Sequence, residues 1–131
     1  MKVAIIGAGS IVFCKTLMLD IMATPGLEGT EFALMAPSTR RTSQVEAFAQ
    51  RVIQRNGLTA KAWKTTSQRE ALKGADYVIS TFQIGGLKAY EQDVMVPLRH
   101  GVDQCIGDTL GPDQSAYAVV LPAYAAHRSS L

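Results

Sequence analysis

Gly7-Ala8-Gly9-Ser10 is the stretch of this sequence best suited to hold a charged ligand. A glycine at the first position permits a sharp reversal, and one two residues later lets the main chain approach a ligand closely. Before it stands Lys2-Val3-Ala4-Ile5-Ile6, a short apolar run of the kind that forms a buried strand. After it, Ile11 to Met22 carries apolar residues at helical spacing. Strand, glycine turn and helix in that order open a dinucleotide-binding unit, in which free N–H groups at the helix start meet a pyrophosphate. The expected contacts are Gly7, Ala8, Gly9, Ser10 and Ile11. The third glycine of the usual pattern is replaced by Val12, and a glycine turn that binds nothing is the competing reading.

Two further places are expected to meet the same ligand. At the end of the second strand a dinucleotide-binding fold normally has an acidic residue, which accepts hydrogen bonds from the adenosine ribose. Here Ala36 stands there, followed by Pro37-Ser38-Thr39-Arg40-Arg41. Without a carboxylate to repel it, a ribose 2′-phosphate could be bound by Ser38, Thr39, Arg40 and Arg41, which shifts the expected cofactor from NAD toward NADP. A helix-capping serine beside two solvated arginines fits the same residues. Gln83, Ile84 and Gly85 follow the fourth strand, at the edge where ligands collect in such sheets, so they are expected to face the cofactor. A plain loop is the alternative.

The elements that would hold these residues alternate. The first helix ends at Thr24-Pro25-Gly26, and Glu31-Phe32-Ala33-Leu34-Met35 makes a second strand. A second helix opens at Pro37-Ser38-Thr39, with Ser38 or Thr39 as its cap. It carries Val45, Phe48, Ala49, Val52 and Ile53 on one stripe and closes at Asn56-Gly57. Ala60 to Thr65 is expected as an edge strand with Lys61 and Lys64 in water. Ser67-Gln68-Arg69-Glu70 is a capping box for a short helix ending at Lys73-Gly74. Residues 75–82 form the fourth strand, and Tyr90 to His100 a last helix that contains Pro97 and stops at Gly101. The predicted fold is α/β: a Rossmann-like parallel sheet of about four strands, order 3-2-1-4, with helices on both faces. Such a sheet has about six strands when complete, so the outer edge of the fourth is expected to be open.

A chain of 131 residues with 47% hydrophobic and 18% charged residues has the balance of one globular domain. A net charge of +2, with no basic run interleaved with aromatics, argues against nucleic acid as a partner. No apolar stretch approaches membrane-spanning length and Met1 leads straight into the first strand, so neither a membrane nor a signal peptide is expected. Cys14 and Cys105 lie far apart without metal-like spacing, which fits two reduced thiols in the cytoplasm. Cys14 is expected in the core, His100 as a helix end, His127 in solvent, and Trp63 as a packing residue.

A second set of residues carries a family resemblance. Phe82-Gln83-Ile84-Gly85-Gly86, Tyr90-Glu91 and Ile106-Gly107-Asp108-Thr109-Leu110-Gly111-Pro112 resemble glycoside hydrolase family 4, the NAD-dependent α-galactosidases and α-glucosidases. Gly7 to Phe13, Ala33-Leu34-Met35, Glu70-Ala71-Leu72 and Gly74-Ala75-Asp76 fit the same family, the α-galactosidase branch most closely. The resemblance runs from residue 1 to about 112. It implies hydrolysis of a small glycoside by a redox route that departs from the two-carboxylate scheme. A hydride leaves C3 of the sugar for NAD, the C2 proton is abstracted, the aglycone is eliminated from C1, water adds and the hydride returns. A manganese ion held by a cysteine and a histidine polarises the sugar oxygens in that scheme. The resemblance also implies that Asp108 and Thr109 approach nicotinamide and sugar, with an Asx turn as their plainer reading. A homo-oligomer is expected.

The family's metal ligands and its acid and base residues lie past the stretch matched here, and neither Cys105 nor His127 occupies their positions. Residues 113–131 form a divergent tail, in which Asp113-Gln114-Ser115-Ala116-Tyr117 stands where the family has two glycines and an arginine-bearing helix. The family's aspartate after Ala-Leu-Met is Ala36 in this sequence. The chain is therefore expected to be an N-terminal, truncated cofactor-binding domain, residues 1–131, with no assignable catalytic residue and no metal site. The competing classes are a lactate/malate-type dehydrogenase and a non-catalytic nucleotide-binding module.

Overall fold

A computed structural model gives the fold and describes residues 1–82, 86–103 and 119–122. Four strands run parallel: β1 (Lys2–Ile6), β2 (Glu31–Met35), β3 (Lys61–Thr65) and β4 (Tyr77–Ser80). Helices α1 (Ile11–Ala23), α2 (Thr39–Asn56) and α3 (Gln68–Leu72) alternate with them. A further helix, α4 (Gly86–Arg99), follows β4. The parallel strands lie in the order β3-β2-β1-β4, as the alternation predicted. This is a Rossmann-like sheet.

The outer edge of β4 is covered, contrary to expectation. A fifth strand, β5 (Val119–Pro122), runs antiparallel along it, with Ser80 opposite Val119 and Tyr77 opposite Pro122. The sequence reading assigned this stretch to a divergent tail. Val119-Val120-Leu121 is a short β-rich apolar run, and a proline at its end is tolerated on an edge strand.

The strand pleat sends alternate residues to two cores. Val3, Ile5, Phe32, Leu34 and Ile79 meet Cys14, Met18 and Met22 of α1 and Val45 and Ala49 of α2. Ala4, Ile6 and Ala33 face the other way, against Ala71 and Ala75, with Met35, Trp63 and Val78 alongside. The buried face of α1 is thus Cys14-Met18-Met22, at the i, i+4 spacing that stacks side chains on one helix face.

Helix ends follow their local chemistry. Gly57 takes the left-handed conformation (φ 60) and closes α2: its N–H donates to Gln54 while the Leu58 N–H donates to Ile53. At the end of α4 the same pattern recurs, with Gly101 (φ 77) donating to Leu98 and Val102 to Pro97. His100 sits at that helix end as expected, its N–H donating to Pro97.

Two local expectations change. Lys61 and Lys64 are three residues apart, so the pleat puts them on opposite faces. Lys61 is exposed, but Lys64 is half-buried and pairs with Glu46 of α2. The capping box before α3 is completed through a third residue. Ser67 Oγ accepts from the Glu70 N–H, while the Ser67 N–H donates to Thr65 Oγ1, which in turn donates to the Glu70 carboxylate. Trp63 is the packing residue expected: its Nε1 donates to Glu31 at 2.8 Å, and Lys2 Nζ stands 5.1 Å from its ring.

Candidate functional site

The site lies where β1, β2 and β4 end together at the carboxyl edge of the sheet. Gly7 has φ +90, and a Cβ built there would stand 2.0 Å from the Thr81 carbonyl oxygen and 3.0 Å from Phe82 Cβ. No side chain fits, because the turn presses directly against the end of β4. The Gly7 and Ala8 N–H groups both donate to the Met35 carbonyl, at 2.8 and 2.9 Å, and the Gly9 N–H donates to Gly7 at 2.7 Å. These three amides are therefore spent within the fold. Ala8 is fully buried, and it and Gly7 shape the turn while offering a ligand no amide.

Gly9 is different. A Cβ there would meet Arg41 Cβ and Cδ at 3.7 and 3.8 Å, ordinary van der Waals distances, and its φ is not in the left-handed region. Nothing in the folded chain itself demands glycine at this position.

The start of α1 beside it is left open. The first N–H bonded back along the helix is that of Cys14, which donates to the Ser10 carbonyl at 2.9 Å. Ser10 is the N-cap residue, yet its side chain makes no cap hydrogen bond, and no acidic residue stands in the first turn. The two other helices that follow a serine are capped by it: Ser38 accepts from the Arg40 N–H and Ser67 from the Glu70 N–H. Among the described residues the amides of Ser10, Ile11, Val12 and Phe13 thus have no main-chain acceptor. An uncapped helix end with a positive dipole, on the solvent side of a glycine turn, is chemically an anion site.

The region after β2 lies across from it. Ala36 is buried, and its N–H donates to the Thr65 carbonyl at 3.4 Å. Ser38 is exposed and spends one acceptor on its own helix. Arg40 and Arg41 are both exposed, and it is Arg41 whose Cβ and Cδ lie within 4 Å of where a Cβ on Gly9 would stand. The sequence reading gave Arg40 and Arg41 the same part, as possible partners of a 2′-phosphate. One helical residue turns the side chain by about 100°, and nothing in the local sequence says which of two adjacent arginines will face the turn. Phe82, 46% exposed beside the turn, was read as the end of the fourth strand and part of the family motif but was not counted among the cofactor contacts. Gln83, Ile84 and Gly85, and the pair Asp108 and Thr109, lie outside the described residues, as do Cys105 and His127.

Cys14 is fully buried under the first turn of α1, and burial pushes its thiol up to about 11, against a partly offsetting hydrogen bond at the Ser10 main chain. It is a core residue rather than a nucleophile. Among the described residues no group of three or more His, Cys, Asp and Glu could hold a metal ion. No described helix is long and apolar enough to cross a membrane.

Comparison with known proteins bears on this architecture. A model of the family "Family 4 glycosyl hydrolase" matches residues 2–120. An alpha-galactosidase of Rhizobium meliloti is 46% identical over 109 residues, covering 83% of this chain and 22% of the relative. An alpha-galactosidase of Bacillus subtilis is 33% identical over 111 residues, 84% of this chain and 26% of the relative. Among solved structures, a 6-phospho-beta glucosidase of Thermotoga maritima, crystallised with manganese, NAD+ and glucose-6-phosphate, superposes with a TM-score of 0.60 at 28% identity. That match covers 79% of this chain and 25% of the other. The chain thus spans about a quarter of the length of the relatives it matches. With a family match over almost its whole length and the parallel β3-β2-β1-β4 sheet beneath it, this chain belongs to the family 4 glycosyl hydrolases.

Proposed function

We propose that this chain is the cofactor-binding portion of a family 4 glycosidase, and that it holds the pyrophosphate of a nicotinamide dinucleotide at the open start of α1. The observation that carries this reading is the uncapped Ser10 end beside Gly9, a glycine for which the protein's own packing has no use. The amides of Ser10, Ile11 and Val12 would donate to the anion, and Arg41 would add a guanidinium from α2. Gly7 and Ala8 hold the turn in place through Met35. Bound there, the nicotinamide would supply hydride acceptance and return, the redox half of the family's hydrolysis. Gln83, Ile84 and Gly85 complete the cofactor contacts in this reading, and Asp108 and Thr109 the sugar side. The glycoside is an α-galactoside or α-glucoside, the enzyme a cytoplasmic homo-oligomer, and manganese would be held by residues other than those described. The chain of 131 residues alone is expected to bind cofactor without turning over substrate.

Ala36 in place of an acidic residue favours the phosphorylated cofactor, because neither a carboxylate nor a bulky group stands at the end of β2. Ser38 and Arg40 would meet the 2′-phosphate, with Arg41 engaged at the pyrophosphate. Calorimetric titration tests both levels. Gly9→Ala should fold with an unchanged melting temperature, since the added methyl meets only ordinary contacts, yet bind either dinucleotide at least tenfold more weakly. If that variant binds as well as the wild type, the pyrophosphate does not lie against Gly9. NADP should bind more tightly than NAD, with Arg40→Ala removing the difference and Arg41→Ala weakening both dinucleotides; NAD binding at least as tightly as NADP refutes the 2′-phosphate assignment alone.

A further inference from the structure

Helix α4 does not follow the rule by which a surface helix buries its apolar side. Leu87 is 84% exposed, Leu98 47% and Val102 54%, with Met95 and Val96 also open to solvent. Leu87, Val94, Leu98 and Val102 recur at intervals of seven, four and four residues, which places them on one side of the helix and its terminal turn. The other helices each send apolar residues into one of the two cores, although Val12, Phe13 and Leu19 of α1 are also exposed. Among the described residues α4 makes only marginal contact with any other element, although Pro97 is buried. A helix of 14 residues with a proline inside it is marginal in water unless its apolar stripe is covered.

We propose that the α4 stripe is the seat of the polypeptide that makes up the other three quarters of a family 4 enzyme, whether joined to this chain or supplied separately. The family match runs through α4, so the helix belongs to the shared pattern, and about three quarters of each relative's length lies outside the matched stretch. Position argues in the same direction. Helix α4 begins shortly after β4 leaves the carboxyl edge of the sheet, the edge that also holds the glycine turn and the open start of α1. In this architecture substrate chemistry takes place outside that edge, so the groups that perform it must be seated beside it. A second copy of this chain would bring a second glycine turn and, among the described residues, no cluster able to hold a metal. The proposal rests on family membership and not on the pyrophosphate reading, and either can fail without the other.

The test compares one double substitution in two settings. Leu87→Asp with Leu98→Asp is made in the 131-residue chain and in a chimera where that chain replaces the matched stretch of the Rhizobium meliloti relative. Expected is a melting temperature shifted by no more than about 2 °C in the chain alone, where both side chains already face water, and lowered by about 5 °C or more in the chimera. Equal shifts in the two settings overturn the proposal. So does sedimentation of the 131-residue chain as a dimer that the double substitution dissolves, which would make a second copy the occupant. As a second format, the tagged chain is co-expressed with the relative's unmatched segment. The unsubstituted chain should retain that segment through purification and the double variant should lose it. Failure of the unsubstituted chain to retain it, or of both formats to give soluble assembly, counts against the proposal.

Discussion

Three serines precede three helices, and only two of them cap. Ser38 and Ser67 each accept a main-chain N–H from the first turn, whereas Ser10, beside the glycine turn, accepts none. The difference is measurable without any ligand. Replacing Ser38 or Ser67 by alanine should each cost about 1 kcal/mol in urea denaturation, the usual loss for a capping side chain. Replacing Ser10 should cost less than about half of that. A Ser10→Ala loss equal to the other two would mean that the serine caps α1 in solution, and that the helix start is not open to an anion. The serine-before-helix pattern was legible at all three positions. Which serine stays free was not, because that depends on a rotamer set by the turn before it.

At the level of elements, the decisive contact is that between the turn after β1 and the end of β4. The Thr81 N–H donates to the Ile6 carbonyl at 2.8 Å, and the Thr81 carbonyl closes over Gly7. Strand, turn and helix could all be read locally, since each depends on residues within a few positions. That β4 and not β2 lies against the turn's Cα, and that Met35 takes two of its amides, are properties of the parallel register. Gly7→Ala should therefore destabilise the fold by about 3 kcal/mol or more, from the clash with Thr81 together with a left-handed φ. Loss of less than about 1 kcal/mol, by denaturant titration, would show that β4 is not held this closely. Gly9, two residues on, carries no such penalty, so the two glycines that look alike in the sequence do different work.

For the whole molecule, the thicker core lies between the sheet and the α1–α2 layer, and Cys14 is buried inside it. An exposed thiol has a pKa near 9.0 and the buried one about 11. Between those values the unfolded chain gives up the proton and the folded chain keeps it, so folding stability falls as pH rises from about 9 to 11. Below pH 9 the thiol is protonated in both states and contributes no slope. Comparing urea midpoints across that range with Cys14→Ala should show a shallower decline in the variant. A thiol reagent at pH 8 should leave Cys14 unmodified until the protein unfolds. Identical slopes in wild type and variant would place the thiol near solvent.

Alternation of apolar runs, capping serines and glycine stops fixed the α/β class, the parallel order β3-β2-β1-β4 and the position of the glycine turn, because such patterns act over a few residues or one crossover. The family, too, was written in local motifs. What needed the tertiary structure was whatever depends on two distant segments meeting. Val119–Pro122 closes the open edge of β4, Lys64 turns inward to Glu46, and Arg41 instead of Arg40 reaches Gly9. Pleat and helix periodicity limit the choices, but only packing against a partner selects among them. The same reason holds for α4, whose apolar stripe is plain in the sequence while its exposure depends on where the other described elements pack.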